Sequence, residues 1–220
     1  MSALTLVIGN KNYSSWSLRP WLLLKHFNIE FDEIKIPLYQ SASALALEQH
    51  SPSRKVPALI HGDLTVWDSL AICEYISENL LQNAGWPEET KARALARSIS
   101  AEMHSGFFAL RNELPMNCRC HIPGFTPSNA AIADITRIKS IWQSCLENHA
   151  DRGDWLLGTF SIADCMFAPV VLRFKIYSIT LEPILQRYAD NVLAHSAIKE
   201  WVAAGQAESE MIAKFEVAEY

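Results

Sequence analysis

Tyr13-Ser14-Ser15-Trp16-Ser17-Leu18-Arg19-Pro20 joins the first apolar run of this chain to its first helical pattern. Proline has no N–H, and in a helix interior its ring clashes with the carbonyl four residues back, so Pro20 belongs in a first turn. That placement predicts an N-cap near Ser17. Ser14 and Ser15 then lie in the loop just before the helix, beside free backbone N–H groups and the positive end of the helix dipole. A hydroxyl there is placed to hydrogen-bond a thiolate carried by a ligand. The same serines also make ordinary caps and turns, and the stretch alone does not separate the two uses.

Upstream, Leu4-Thr5-Leu6-Val7-Ile8 is a short apolar run of buried-strand type, closed by the turn cluster Gly9-Asn10-Lys11-Asn12. Downstream, residues 18–27 are helical, with Leu18, Trp21, Leu22 and Leu24 on a broad apolar face. Residues 31–36 alternate as an amphipathic strand, and 43–49 form a short helix closed by Ser51-Pro52-Ser53. Residues 56–60 and 64–67 flank His61-Gly62-Asp63, a turn of hairpin chemistry, and 69–81 form another helix. The order βαβ, α, ββ, α demands a parallel first pair and an antiparallel second pair. A mixed four-stranded sheet with helices on both faces follows, which is the thioredoxin-like arrangement.

After Asn83-Ala84-Gly85-Trp86-Pro87 the strand signals stop. Pro87-Glu88-Glu89 reads as a first helical turn, running helically to about Leu114, with further helices near 127–149, 162–178, 181–189 and 195–204. The expected architecture is therefore a thioredoxin-like α/β domain over residues 1–83 and an all-helical domain over 88–220.

Half of the 220 residues are hydrophobic, enough for a sizeable core, and the formal net charge is -5. That balance opposes nucleic acid as a main partner, because counterion-driven binding needs a basic face. No apolar run approaches the ~20 residues that span a bilayer, and the first residues lack the positive region of a signal peptide. Five cysteines at irregular spacing suit a reducing compartment. The expectation is a cytoplasmic protein with no membrane partner.

Two more stretches carry chemistry. Lys55-Val56-Pro57 opens the third strand, where a proline is tolerated. A cis Val56-Pro57 bond would turn the Val56 N–H and C=O outward to pair with an extended peptide, whereas a trans bond would make it an ordinary loop exit. Trp67-Asp68-Ser69 begins a helix. Asp68 or Ser69 is a capping residue there, and the same groups can receive a ligand carboxylate at Ser69 and an ammonium at Asp68.

Together, Ser14-Ser15-x-Ser17-x-Arg19, Val56-Pro57-Ala58-Leu59 and Asp68-Ser69-Leu70-Ala71-Ile72-x-Glu74-Tyr75 resemble the glutathione transferase superfamily. Gly158-Thr159-Phe160-Ser161-Ile162-Ala163-Asp164 is similar to the N-capping box of that family's helical core. The resemblance covers nearly the whole chain and implies a serine-type, zeta-like member of bacterial kind, with glutathione as cosubstrate. It makes Ser14 the catalytic hydroxyl that stabilises the thiolate, with Ser15 as its neighbour. Val56, held by cis-Pro57, would pair with the cysteinyl residue, and Asp68 and Ser69 would hold the γ-glutamyl end. Lys55, with His50, would attract the glycine carboxylate. The thiolate would attack a small-molecule electrophile in a cleft facing the helical domain, in a homodimer.

Within the superfamily, the Ser14 motif is similar to the Ser-Ser-Cys-x-Trp-Arg pattern of zeta-class maleylacetoacetate isomerases, with Trp16 for the cysteine and Leu18 for the tryptophan. Conjugation of electrophiles is the leading implication. A cis–trans isomerase, or a non-enzymatic ligand-binding or stress-associated protein on the same fold, stand as alternatives. Omega-like members carry cysteine where Ser14 stands, and a serine forms no mixed disulfide.

Trp16, His104 and Arg111 are candidates for the electrophile pocket, and Arg173 is similarly placed, with surface ion pairs as the plainer role of the arginines. Gly106 suits a close helix approach. Cys118-Arg119-Cys120-His121 has the wrong spacing for a zinc site, so no metal is expected. Cys73, Cys145 and Cys165 fall on apolar helix faces as small core residues.

Overall fold

The computed structural model describes residues 3–216. Strands β1 (Leu4–Ile8), β2 (Asp32–Lys35), β3 (Ala58–His61) and β4 (Leu64–Val66) form one sheet in the order β2-β1-β3-β4. β1 runs parallel to β2 and antiparallel to β3, and β3 pairs antiparallel with β4, as the crossover and the hairpin require. β1 is apolar but for the half-buried Thr5, because both its faces are largely covered. Leu4, Leu6 and Ile8 join the main core with α1 (Ser15–His26) and α3 (Ser69–Leu80), while Val7 joins Ile36 and Ala58 in a smaller cluster under α2 (Ser43–His50).

Among the described residues six α-helices follow, α4 (Thr90–Ser105), α5 (Phe108–Glu113), α6 (Asn129–Asn148), α7 (Ile162–Ile176), α8 (Pro183–Ala194) and α9 (Ser196–Ala207), and then a 3-10 turn at Ala213–Phe215. The chain thus has a thioredoxin-like α/β part followed by a helical part. α7 is the axle of the latter. All but one of its residues are buried, and it touches α1, α4 and α8. Its start is held by the predicted box, in which the Asp164 carboxylate accepts from Ser161 N (2.8 Å), Ser161 Oγ (3.1 Å) and Leu156 N (3.1 Å).

Several boundaries differ from the sequence reading; α8 runs to Ala194 rather than 189 and β3 starts at Ala58 rather than 56, and three others have a clear local cause. α1 starts at Ser15 with Ser14, not Ser17, as its cap, so Pro20 sits inside the helix with no N–H to offer the Trp16 carbonyl. The Ser14 hydroxyl accepts from Ser17 N, which starts the helix one turn early. α4 starts at Thr90 rather than at Pro87, because the Glu89 carboxylate accepts from Lys91 N (2.8 Å) and Ala92 N (2.7 Å). The long helix predicted to reach Leu114 breaks at Gly106 and Phe107, the latter at φ 60°. The Arg111 side chain folds back over that break, donating to the carbonyls of Met103, His104 (3.4 Å) and Gly106 (2.9 Å).

Candidate active site

The elements that carry the three motifs meet at one end of the sheet. β1 delivers its C-terminal end there, and the antiparallel β3 delivers its start. A Cβ on Gly9 would lie 2.6 Å from Leu38 Cδ1 and 3.2 Å from Val56 Cγ2, so a larger residue would require the Leu38 side chain to shift. The following loop is fastened from behind. Asn12 Nδ2 donates to Asn117 Oδ1 (2.8 Å), and Glu208 accepts from the N–H groups of Lys11 (2.8 Å) and Asn12 (3.1 Å). The start of α1 therefore has little freedom to move.

Ser14 and Ser15 are 6% and 5% exposed. Ser14 Oγ donates to Ser17 Oγ (2.7 Å) and accepts from Ser17 N (3.3 Å), while Ser17 Oγ accepts from Gly9 N (3.1 Å). Ser15 Oγ instead accepts from Arg173 Nη2 (3.1 Å) on α7. The Val56-Pro57 peptide bond is cis, and the Val56 backbone makes no hydrogen bond to another described residue. Lys55 is exposed and forms no ion pair among the described residues.

Trp67-Asp68 is also a cis bond, and Asp68 caps α3 by accepting from Leu70 N (3.1 Å). Its other oxygen lies 2.9 Å from His104 Nε2, a contact between the two halves of the chain that the sequence gives no means of pairing. Ser69 Oγ is fully buried and has no partner among the described residues. An unpartnered buried hydroxyl at a helix start is free to donate to a ligand or to an ordered water, as are those of Ser77 and Ser100 elsewhere.

Around Trp16 the structure assembles what the sequence scatters. The Trp16 ring meets His104 edge-on (5.3 Å between centroids), and the guanidinium carbons of Arg19 and Arg111 lie 4.2 Å and 4.6 Å from its centre. Arg111 and Arg173 are not surface ion-pair formers. Both hydrogen-bond only to neutral groups, Arg173 to the Leu114 and Arg111 (3.5 Å) carbonyls and to Ser15. Arg19, read from sequence only as part of a motif, is 1% exposed with Nε and Nη1 unpartnered. Burial lowers the pKa of Arg111 and Arg173 to about 10 each; for Arg173 the charge of Arg111 adds to the effect. Burial, then the charges of Arg111 and Arg173, hold Arg19 well below its ordinary value. Asp68 offsets part of the charge at Arg19 and Asp134 part of that at Arg111, and the net positive wall that remains suits an anion.

Ser15, Arg173, Arg111, Trp16, His104 and the Asp68-Ser69 pair are thus linked by successive contacts, and Lys55 is not part of that chain of contacts. Residues 13–79 match the family model described as glutathione S-transferase, N-terminal domain. That match assigns residues 13–79, not the whole chain, to the glutathione S-transferase N-terminal domain family. The chain is 34% identical over 102 residues to glutathione S-transferase U16 of Arabidopsis thaliana, a match spanning 45% of this chain and 44% of that protein, so under half of this relative's length. It is 28% identical over 175 residues to maleylacetoacetate isomerase of Rattus norvegicus, covering 77% of each. Among solved structures, a glutathione transferase homolog from Burkholderia gl BGR1, with bound glutathione, shares the fold at a TM-score of 0.71 and 23% identity, covering 94% of this chain and all of the other. Among the described residues, no helix is long and apolar enough to cross a membrane.

Proposed function

We propose that this chain binds glutathione at the end of the sheet and transfers its thiolate to small electrophiles held against the Trp16 wall. The observation that carries the reading is Ser69: a buried, unpartnered hydroxyl at the start of α3, next to Asp68. A γ-glutamyl carboxylate placed there meets that hydroxyl and the positive helix end, and its ammonium meets Asp68 beside His104. The free backbone of Val56 offers an N–H and a C=O to the cysteinyl residue, as a strand edge does to an added strand. Lys55 and His50 lie at the glycine end. The sulfur then falls at the start of α1, against the serine pair, where donors and charge lower a thiol pKa from its ordinary ~8.5. Trp16, His104 and Arg111 border the electrophile.

On this reading residues 1–83 bind glutathione and 88–220 supply the electrophile site, in a cytoplasmic homodimer. A second reading, glutathione-dependent cis–trans isomerisation, draws on the 77% overlap with maleylacetoacetate isomerases and on arginines that would receive a substrate's carboxylates. Retention on immobilised glutathione, with conjugation of a small aryl halide, tests the main reading. No binding at millimolar glutathione refutes it. Turnover of maleylacetoacetate but not of the halide would move the assignment to the second.

A further inference from the structure

The two serines at the start of α1 are chemically unequal. Ser14 is occupied within its own turn, donating to Ser17 Oγ and accepting from Ser17 N. Ser15 Oγ has one lone pair filled by Arg173 Nη2 at 3.1 Å, and its proton has no acceptor among the described residues. A hydroxyl has one proton to give and two lone pairs to offer. For Ser14 to donate to a ligand, it must first give up the bond it already donates to Ser17 Oγ. Ser15 gives up nothing, and a bond accepted from a cation polarises its O–H and strengthens what that O–H donates.

The surroundings favour the same atom. The Arg173 guanidinium is pinned by the carbonyls of Leu114 and Arg111 and meets no carboxylate among the described residues. Arg111 and Arg19 add charge across Trp16. Two acids lie near them, and neither pairs with an arginine: Asp68 is turned to His104 and to Leu70 N, and Asp134, whose charge partly offsets the effect of burial on Arg111, accepts from Leu110 N (3.0 Å). Buried cations without counter-charge are costly, and an anion at their edge relieves that cost.

We propose that Ser15, held by Arg173, is the hydroxyl that donates to the glutathione thiolate, and that Ser14 acts as the helix cap. This rests on the glutathione reading above and reverses the order of the two serines that the family resemblance implies. The S–H bond breaks with its proton passing to solvent, and the Ser15 O–H bond to sulfur stabilises the pair of electrons left behind. That pair then forms the C–S bond to the aryl halide, and the C–halogen bond breaks with halide leaving on its own electron pair. Arg173 touches neither partner; it is a positioning residue that fixes the Ser15 oxygen and directs its proton outward.

The test is the pKa of the bound thiol, followed by thiolate ultraviolet absorbance against pH, beside the pH profile of kcat/KM for an aryl halide. Ser15→Ala and Arg173→Gln should each raise that pKa by roughly one unit, equivalent to about 1.4 kcal/mol, and the double variant should raise it no further. Ser14→Ala should move the thiol pKa less than Ser15→Ala does, and should lower Tm more. Should Arg173→Gln fail to fold, Arg173→Lys keeps the charge but loses the planar fork, and is expected to give a smaller rise. A larger rise in Ser14→Ala than in Ser15→Ala overturns the proposal, as does a parental thiol pKa in both Arg173 variants. A parent chain that binds no glutathione sinks the underlying reading and this proposal with it, and that failure is visible before any substitution is made.

Discussion

Replacing Ser69 by alanine should make the free protein more stable and its complex weaker. The hydroxyl is fully buried and unpartnered, and such a group costs about 1–3 kcal/mol of desolvation. Alanine removes the cost and leaves a gap of a single oxygen. The start of α3 should survive, because its cap bond comes from Asp68 Oδ1 to Leu70 N and not from Ser69. A net gain of about 1 kcal/mol would raise Tm by roughly 2–4 °C for a chain of this size. With glutathione, the sign reverses. A hydrogen bond to a carboxylate contributes about 1.5–3 kcal/mol, so Kd should rise roughly 10- to 150-fold. The ligand-induced rise in Tm should shrink accordingly, since it follows RT ln(1 + [L]/Kd). Thermal scans with and without glutathione, beside calorimetric titration, read both effects on one pair of proteins. A lower Tm in the ligand-free variant would make Ser69 a structural hydroxyl. An unchanged Kd would remove it from the γ-glutamyl site and take away the main support for the proposed function.

Two further outcomes probe the frame around the site. Asp164→Ala strands the N–H groups of Leu156 and Ser161 and the Ser161 hydroxyl in the interior, so it should cost about 3–5 kcal/mol, seen as a lower urea midpoint at unchanged m; a loss below about 1 kcal/mol would mean that water reaches the box. His26 stacks on Phe160 (3.6 Å) with Nδ1 3.0 Å from His195 Nε2, and burial, then the His195 charge, lowers its pKa to about 4. Folded His26 thus stays neutral while the unfolded chain takes a proton below ~6.5. Stability is complete above that pH and declines as pH falls towards 4, by about 1–2 kcal/mol once solvent screening of the half-exposed ring is allowed for. His26→Phe should flatten the decline of Tm between pH 7 and 4.5, and an unchanged acid slope would assign it to other groups.

The strand order and the helix count of the first half were legible because β1 is apolar on consecutive residues and His61-Gly62-Asp63 is turn chemistry, both local signals. The start of α1 was misplaced by the rule that keeps proline out of helix interiors. Here the Ser14–Ser17 bonds and the Gly9 N–H fix the first turn upstream of Pro20, and those partners are known only once β1 and α1 are side by side. The break at Phe107 had Gly106 as its visible sign, but the arginine that closes it lies in the next helix. Cys73 and Cys165 do pack as small core residues, as their helix faces imply.

For the site, the sequence by itself determined which groups are present and which local roles they take. Serines stand before the first helix, a proline opens β3, and Asp68-Ser69 starts α3. Each of these depends on chain neighbours within a few residues, so spacing and residue type suffice. Only the tertiary structure decided which of those groups are already engaged. Ser15 against Arg173, Trp16 between Arg19 and Arg111, and Asp68 against His104 join residues from separate helices, with sequence separations of up to 158 positions. A hydroxyl's availability depends on what fills its lone pairs, and a buried cation's effect depends on whether a carboxylate is near. Both are properties of packing, and no local pattern encodes them.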